Sequence, residues 1–157
     1  MTFRERRLKW MMRAGSRTTV PVYRLLGGRG ASRMSPASAP PVFLLTTTGR
    51  KSGKKRTIAV SFLQDEKSLI VVGSNGGLPV APKWTGNLRA TPAAEVQIGR
   101  EKIPVRARVT EGEEESALRE RISAEWPNSY GAIFEQAQRP VPIIRLERRR
   151  TEEQSVS

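Results

Sequence analysis

The chain of 157 residues contains no cysteine and no histidine. Without cysteine there is no disulfide, no thiolate nucleophile and no Cys-ligated zinc. Without histidine the usual physiological-pH acid/base and the commonest metal ligand are gone, and a Ser-His-Asp triad cannot be built. No apolar run approaches the roughly 20 residues of a membrane span. No apolar stretch follows the basic N-terminus as a secretory signal requires, and no internal repeat is visible. These absences are compatible with a reducing cytoplasm. They also make a bound cofactor the natural carrier of any difficult chemistry. Aromatic residues make up only 6% of the chain, and no basic-aromatic alternation resembles a stacking platform, which argues against nucleic acid as the partner.

What the chain does have is positive charge. Twenty-eight Lys and Arg against fifteen Asp and Glu give a net +13, a field that attracts polyanions, acidic lipid surfaces or phosphorylated small molecules. Residues 1–17 read as a basic amphipathic helix. Met1, Leu8, Met11 and Met12 share one face, Phe3 and Trp10 flank it, and Arg6, Lys9 and Arg13 lie opposite. Such a helix either lies on an anionic membrane surface or packs on the protein's own core. Residues 27–41 have the Gly/Ser/Pro content of a linker. The expected organisation is therefore 1–41 as helix and linker, 42–147 as the folded domain and 148–157 as a charged tail.

Within the domain the run from Val42 to Thr47 reads as a buried strand. Thr57 to Leu63 alternates as a second, and Leu69 to Val72 as a third. A short helix is expected from Lys83 to Ala90, stopped by Thr91-Pro92. A hairpin, Ala94 to Ile98 and Lys102 to Val109, turns at Gly99-Arg100. Thr110 and Glu113 read as a capping box opening a helix to about Glu125. A further helix near Tyr130 to Gln138 precedes a last strand, Val141 to Leu146. Meandering short strands with few helices predict a mainly β fold with flanking helices, a small barrel rather than a doubly wound sheet.

Two stretches carry chemistry. Thr48-Gly49-Arg50-Lys51-Ser52-Gly53-Lys54-Lys55-Arg56 crowds five basic side chains and two glycines into one connection. Glycines let backbone N–H groups approach an anion, and the cations add charge-assisted hydrogen bonds. The glycine spacing is too short for a Walker motif. The second stretch is Asn75-Gly76-Gly77 followed by Lys83-Trp84 and Asn87. The glycines admit a flat ring against the main chain. Trp84 either stacks on such a ring or fills the core, and Asn87 reads as a cap or a ligand contact.

Taken together and in order, Thr46-Thr47-Thr48-Gly49-Arg50-Lys51-Ser52-Gly53, then Pro82-x-Trp84-x-x-Asn87-Leu88, then Pro92-x-x-Glu95-Val96-Gln97-Ile98-Gly99, then Arg139-x-x-Pro142 resemble the deazaflavin-dependent nitroreductase and oxidoreductase family. The resemblance covers about residues 42–147. It implies a split β-barrel, FMN-binding-like, and the 8-hydroxy-5-deazaflavin coenzyme (coenzyme F-420), with FMN as the alternative. It implies hydride transfer to a hydrophobic acceptor such as a quinone, nitro compound or unsaturated lipid. A non-catalytic lipid or ligand carrier on the same barrel is the alternative function. Carried over by position, Thr48, Gly49, Arg50, Lys51, Ser52, Gly53 and Arg56 would meet the phosphate and tail. Gly76, Gly77, Lys83 and Trp84 would line the ring, and Asn75 and Asn87 complete the expected cofactor-binding set. The sequence departs from relatives at Ala59-Val60-Ser61, Asn75, Thr85-Gly86 and Ile133, the last where a Tyr is common. Tyr130 is then the expected phenolic donor, in an apolar pocket with Ile133, Phe134 and Val60. In such relatives the N-terminal helix often associates with membrane, so a peripheral position at the inner membrane face is expected.

Overall fold

A computed structural model describes residues 41–75 and 78–149; the expected N-terminal helix, the linker and most of the tail lie outside these. Six strands, all paired antiparallel, close into a barrel: β1 (Val42–Thr48), β2 (Lys55–Asp65), β3 (Ser68–Val72), β4 (Ala93–Ile98), β5 (Glu101–Val109) and β6 (Ile143–Arg148). Around the barrel the order is β1-β2-β3-β6-β5-β4, and β1 closes on β4 through Leu45 opposite Val96. Among the described strands there is no free edge.

The two-residue period of a strand sorts the side chains. Phe43 and Leu45, Leu69 and Val71, Ala94 and Val96, Ile103 and Val105, and Ile144 and Leu146 point inward to one core, joined by partly buried Ile58, Val60 and Phe62 of β2. Phe43 meets Phe62 edge-on, ring centroids 4.7 Å apart. The short helix α1 (Lys83–Ala90) adds Trp84 and Leu88, four residues apart on one face, to this interior. The alternate residues Leu63, Ile70, Val72 and Ile143 face outward. They pack under Leu118 and Ile122 of α2 (Gly112–Glu125) in a second cluster, with Trp126, Tyr130, Ile133 and Phe134 at its rim.

Three local expectations are corrected. Thr110 does not cap α2. Its buried hydroxyl donates to the Ile143 carbonyl at 2.7 Å, tying the end of β5 to β6, and the helix begins at Gly112 behind Glu111 with no side-chain cap. The helix expected over Tyr130 to Gln138 is a π-helical turn, Pro127–Gly131, running into one turn of α-helix, α3 (Ala132–Gln136). The last strand starts and ends two residues later than the apolar run suggests. Val141 and Pro142 are held out of the ladder: the Val141 carbonyl accepts from Arg119 and that of Pro142 from the Gly73 amide. Beyond Leu146 the pairing of Arg148 with Val105 prolongs β6.

Candidate functional site

The β1–β2 connection is a tight hairpin turn. The Gly49 amide donates to the Lys54 carbonyl and the Gly53 amide to the Gly49 carbonyl, both at 2.8 Å. Gly53 sits at φ +69°, the left-handed region glycine tolerates best. At Gly49 a Cβ would lie 2.7 Å from the Ser52 hydroxyl, which instead accepts the Lys54 amide at 3.2 Å. Lys55 donates to the Thr48 hydroxyl at 3.1 Å. The side chains of Arg50, Lys51, Lys54, Lys55 and Arg56 are exposed, and among the described residues no carboxylate pairs with them.

That contrasts with the opposite side of the barrel. There Arg108, Arg121 and Arg145 share Asp65, Glu114, Glu125 and Glu147, and Arg119 pairs with Glu115. The Arg108 guanidinium, hydrogen-bonded to Glu114, holds that carboxyl below the usual carboxylate range. The pairs of Arg108, Arg119 and Arg121 lie near the surface and contribute roughly 0–1 kcal/mol each, whereas Arg145 is largely buried between Asp65 and Glu114. Five exposed cations without a carboxylate partner among the described residues thus sit within seven residues of one turn.

Helix α1 holds that turn from behind. The buried Asn87 side chain accepts the Arg50 amide at 3.1 Å and donates to the Thr47 hydroxyl at 3.2 Å. These two bonds make it a positioning residue for the turn. Beside it Gly86 lies under the Arg50 side chain: a Cβ there would come within 2.8 Å of the guanidinium. Gly86→Ala is therefore expected to push the flexible Arg50 tip aside. Alanine in mid-helix gains up to about 1 kcal/mol over glycine, so Tm should hold or rise while anion affinity falls about fivefold, one weakened charge-assisted bond. Calorimetric binding and thermal melts on the same variant check this.

The second expected stretch is only partly brought to the turn. Lys83 opens α1 and is exposed. Trp84 belongs to the interior core at 9% exposure, so the core-filling reading of that residue is the one seen. Asn75, at φ 48°, donates its side-chain amide to the Val80 carbonyl at 2.7 Å. Gly76 and Gly77 lie outside the described residues. Two residues given no role by sequence reasoning organise this connection. Gly73 leaves no room for a side chain, a Cβ there meeting Pro142 at 2.7 Å and Thr85 at 2.8 Å. Arg139 reaches across to the carbonyls of Gly73, Ser74 and Leu78. The Arg139-x-x-Pro142 motif was the sequence signal for Arg139.

Tyr130 stands on the outer side of β2, within hydrogen-bonding reach of Ser61, and burial pushes its phenol above its ordinary pKa. Trp126 and Phe134 flank its ring. Ile133 and Phe134 belong to the same outer cluster, whereas Val60 packs on the barrel interior. Adjacent strand residues point to opposite faces, so Ser61, and not Val60, shares a face with Tyr130. A raised phenol pKa has a definite sign. As pH passes about 10 the unfolded phenol ionises before the folded one, so the folded state is progressively disfavoured. Wild-type stability should therefore fall above that pH more steeply than that of Tyr130→Phe, whose deficit at pH 7 should be about 1 kcal/mol for the lost hydrogen bond. Urea melts across the pH range measure both.

β2 joins the two features. Lys55 begins the strand at the basic turn, and Ser61 lies six residues along it, about 20 Å at the usual strand rise. Thr57 and Ala59, between them, share the outward face of the strand with Ser61. A separate open cleft of about 340 Å³ lies between α2 and α3, lined by Arg119, Ser123, Pro127, Gly131, Phe134 and Glu135; it shares no residue with the basic turn.

A closed six-stranded antiparallel barrel with few helices, shared with solved F420-dependent reductases, defines the split barrel of flavin-binding type. Comparison places the chain more narrowly. The F420H2-dependent quinone reductase family model matches residues 15–148, and the chain belongs to that family. It is 32% identical over 130 residues to an F420H2-dependent quinone reductase of Mycobacterium tuberculosis, an alignment covering 82% of this chain and 86% of that protein. An F420-H2-dependent reductase of known structure is 34% identical, with a TM-score of 0.61, covering 68% of this chain and 94% of the other. A second solved structure, described as a domain-swapped dimer, is 31% identical with a TM-score of 0.63, covering 82% of this chain and 96% of the other.

Proposed function

We propose that this protein binds the reduced 8-hydroxy-5-deazaflavin coenzyme and catalyses its oxidation by a hydrophobic quinone. Family membership supports the coenzyme and the acceptor class. The observation that carries the reading to this chain is the cluster of five exposed cations on one glycine turn, left without carboxylates among the described residues, whereas Arg108, Arg119, Arg121 and Arg145 across the barrel are paired. Such a donor set fits a ligand whose phosphate and carboxylate tail are anionic.

When bound, the coenzyme supplies a hydride from ring carbon 5. The protein's part is to orient and to exclude water. Arg50, Lys51 and Arg56 would hold the phosphate and tail, with the Gly49 and Gly53 turn shaped by Asn87 behind it. The Gly73–Leu78 connection and the outward face of β2 would take the ring end. Quinone reduction consumes the hydride and one proton to give the quinol. Tyr130, kept neutral by burial and near Ser61, is the side chain suited to donate a hydrogen bond or that proton to the acceptor. The rim of Trp126, Ile133 and Phe134 is apolar and suits a quinone. Nitro compounds, whose reduction builds more charge on the acceptor, should turn over more slowly. On this reading the basic amphipathic pattern of residues 1–17 serves to keep the protein at an anionic membrane surface, where such quinones reside.

The test uses reduced coenzyme with a short-chain quinone and, separately, a nitroimidazole, following coenzyme oxidation. Quinone-dependent turnover exceeding the nitroimidazole rate is expected, with Ile133→Tyr raising the latter. No acceptor-dependent oxidation, or turnover unchanged in Tyr130→Phe, would count against the proposed roles. Parallel titration with FMN separates the two cofactors.

A further inference from the structure

The cleft between α2 and α3 shares only Phe134 with the acceptor rim, and its walls carry polar groups that the fold leaves unused. Its volume of about 340 Å³ is that of a small-molecule site. Arg119 and Ser123, one turn apart, lie on the same side of α2. Across from them stand Gly131, at the end of the π-helical turn, and Phe134 and Glu135 of α3, with Pro127 completing the lining. The two walls meet at Gly131, where a Cβ would lie 3.4 Å from the Ser123 carbonyl. A π-helical turn is a rare conformation that recurs at functional sites.

Arg119 is fixed in place. It pairs with Glu115, donates to the Val141 carbonyl at 3.5 Å and lies 4.6 Å over the centre of the Phe134 ring. Both bonds come from one terminal nitrogen, so Nε and the other terminal nitrogen remain able to donate. Among the described residues the Ser123 hydroxyl and the exposed Glu135 carboxylate have neither a hydrogen bond nor an ion pair. The cleft therefore offers two kinds of donor, one acceptor-only carboxylate and an aromatic wall.

That mixture selects against simple ions. An anion drawn to Arg119 would compete with Glu115 and face Glu135; an ammonium drawn to Glu135 would face Arg119. A neutral aromatic ring bearing hydroxyl groups meets neither penalty. We propose that this cleft binds a para-quinol, the reduced product of the reaction proposed above, beside the pocket in which it forms. A quinol oxygen accepts from Arg119 and Ser123, a quinol hydroxyl donates to Glu135, and the ring packs against Phe134. Phe134 joins the two places, since its ring also lies 6.5 Å from that of Tyr130. Glu135 gives the site its direction: a quinone has no hydroxyl to donate, so the reduced form is held and the oxidised form is not. The identity of the ligand as product rests on the quinone-reductase reading; the binding of a neutral hydroxylated ring does not.

The experiment uses the isotope-labelled full chain without coenzyme, under anaerobic conditions, and follows amide resonances. The probes are tetramethylhydroquinone, its oxidised form duroquinone, and its dimethyl ether. The quinol should shift the Ser123, Gly131 and Glu135 amides saturably and bind about tenfold more tightly than either other probe, the effect of one charge-assisted hydrogen bond. Glu135→Gln should lose about tenfold for the quinol and erase the preference. Ser123→Phe, which fills the cleft, should abolish the shifts. Neither variant should alter affinity for the deazaflavin coenzyme. In turnover, about tenfold more quinol should be needed to inhibit Glu135→Gln by half than to inhibit wild type. Wild-type protein that oxidises the coenzyme with a quinone while the quinol leaves the three amides unmoved overturns the cleft assignment alone. So does equal binding of the three probes, or tighter binding of benzoate or benzylammonium than of the quinol. Selective quinol binding at these amides without quinone-dependent coenzyme oxidation upholds the cleft and overturns the proposed reaction; neither shifts nor oxidation overturns both.

Discussion

Replacing Arg50 and Lys51 together with alanine is expected to cost roughly a hundredfold or more in affinity for the coenzyme while leaving the fold intact. Both side chains are exposed and meet no carboxylate among the described residues, so their removal breaks no ion pair. A charge-assisted hydrogen bond contributes about 1.5–3 kcal/mol, and two such losses amount to two decades or more at 1.4 kcal/mol each. The turn itself is held by the main-chain bonds of Gly49, Gly53 and Lys54 and by Asn87 accepting the Arg50 amide, none of which needs the two side chains. Tm should therefore stay within a degree or two of wild type, and the residual affinity should respond less to salt, because fewer exposed charges remain to be screened. Fluorescence titration at two ionic strengths, with a melt of each sample, checks the prediction. A parallel loss of stability would show that the cations support the turn instead of a ligand.

The largest loss of stability is expected for Phe43→Ala. Phe43 is fully buried in the barrel interior, edge-on to Phe62, on the strand paired with both β2 and β4. Truncating a buried Phe costs about 3–5 kcal/mol through lost transfer energy and the cavity left behind, which for a domain of this size lowers Tm by roughly 10 °C. Phe43→Leu fills much of the space and should recover most of the loss. Thermal and urea unfolding of both variants provide the comparison. A fall of under about 1 kcal/mol for Phe43→Ala would mean that the barrel interior collapses around the gap.

The barrel was legible because its strands follow simple rules. The uncharged run from Val42, the alternation through Ile58, Val60 and Phe62, and the Gly99-Arg100 turn each match an observed element, as does the Lys83 to Ala90 helix. What was not legible depended on partners distant in sequence. Thr110 looks like a cap because only the next few residues are visible to a local pattern; its hydroxyl is taken by Ile143, 33 residues on. The Tyr130 segment departs from plain α-helix where Pro127 begins a π-helical turn under the second core. Asn87 and Trp84 show the same limit in the site. Their positions in the motif are evident, but the bonds from the Asn87 amide to Thr47 and Arg50 and the packing of the Trp84 indole in the barrel core depend on partners a local pattern does not show. Gly73 and Gly86 gave no local signal, because what they make room for, Pro142 and the Arg50 side chain, comes from elsewhere in the chain.

The central claim is that the basic turn of this split barrel receives a deazaflavin coenzyme. Its most direct test is an equilibrium titration of the full chain with the oxidised coenzyme, read by the coenzyme's own fluorescence, with FMN titrated alongside. Saturable binding of the deazaflavin with a dissociation constant on the order of ten micromolar or tighter, about 7 kcal/mol or more, weakened by salt and stronger than that of FMN, is the predicted result. No saturable binding of the deazaflavin at those concentrations, or tighter binding of FMN, would contradict it.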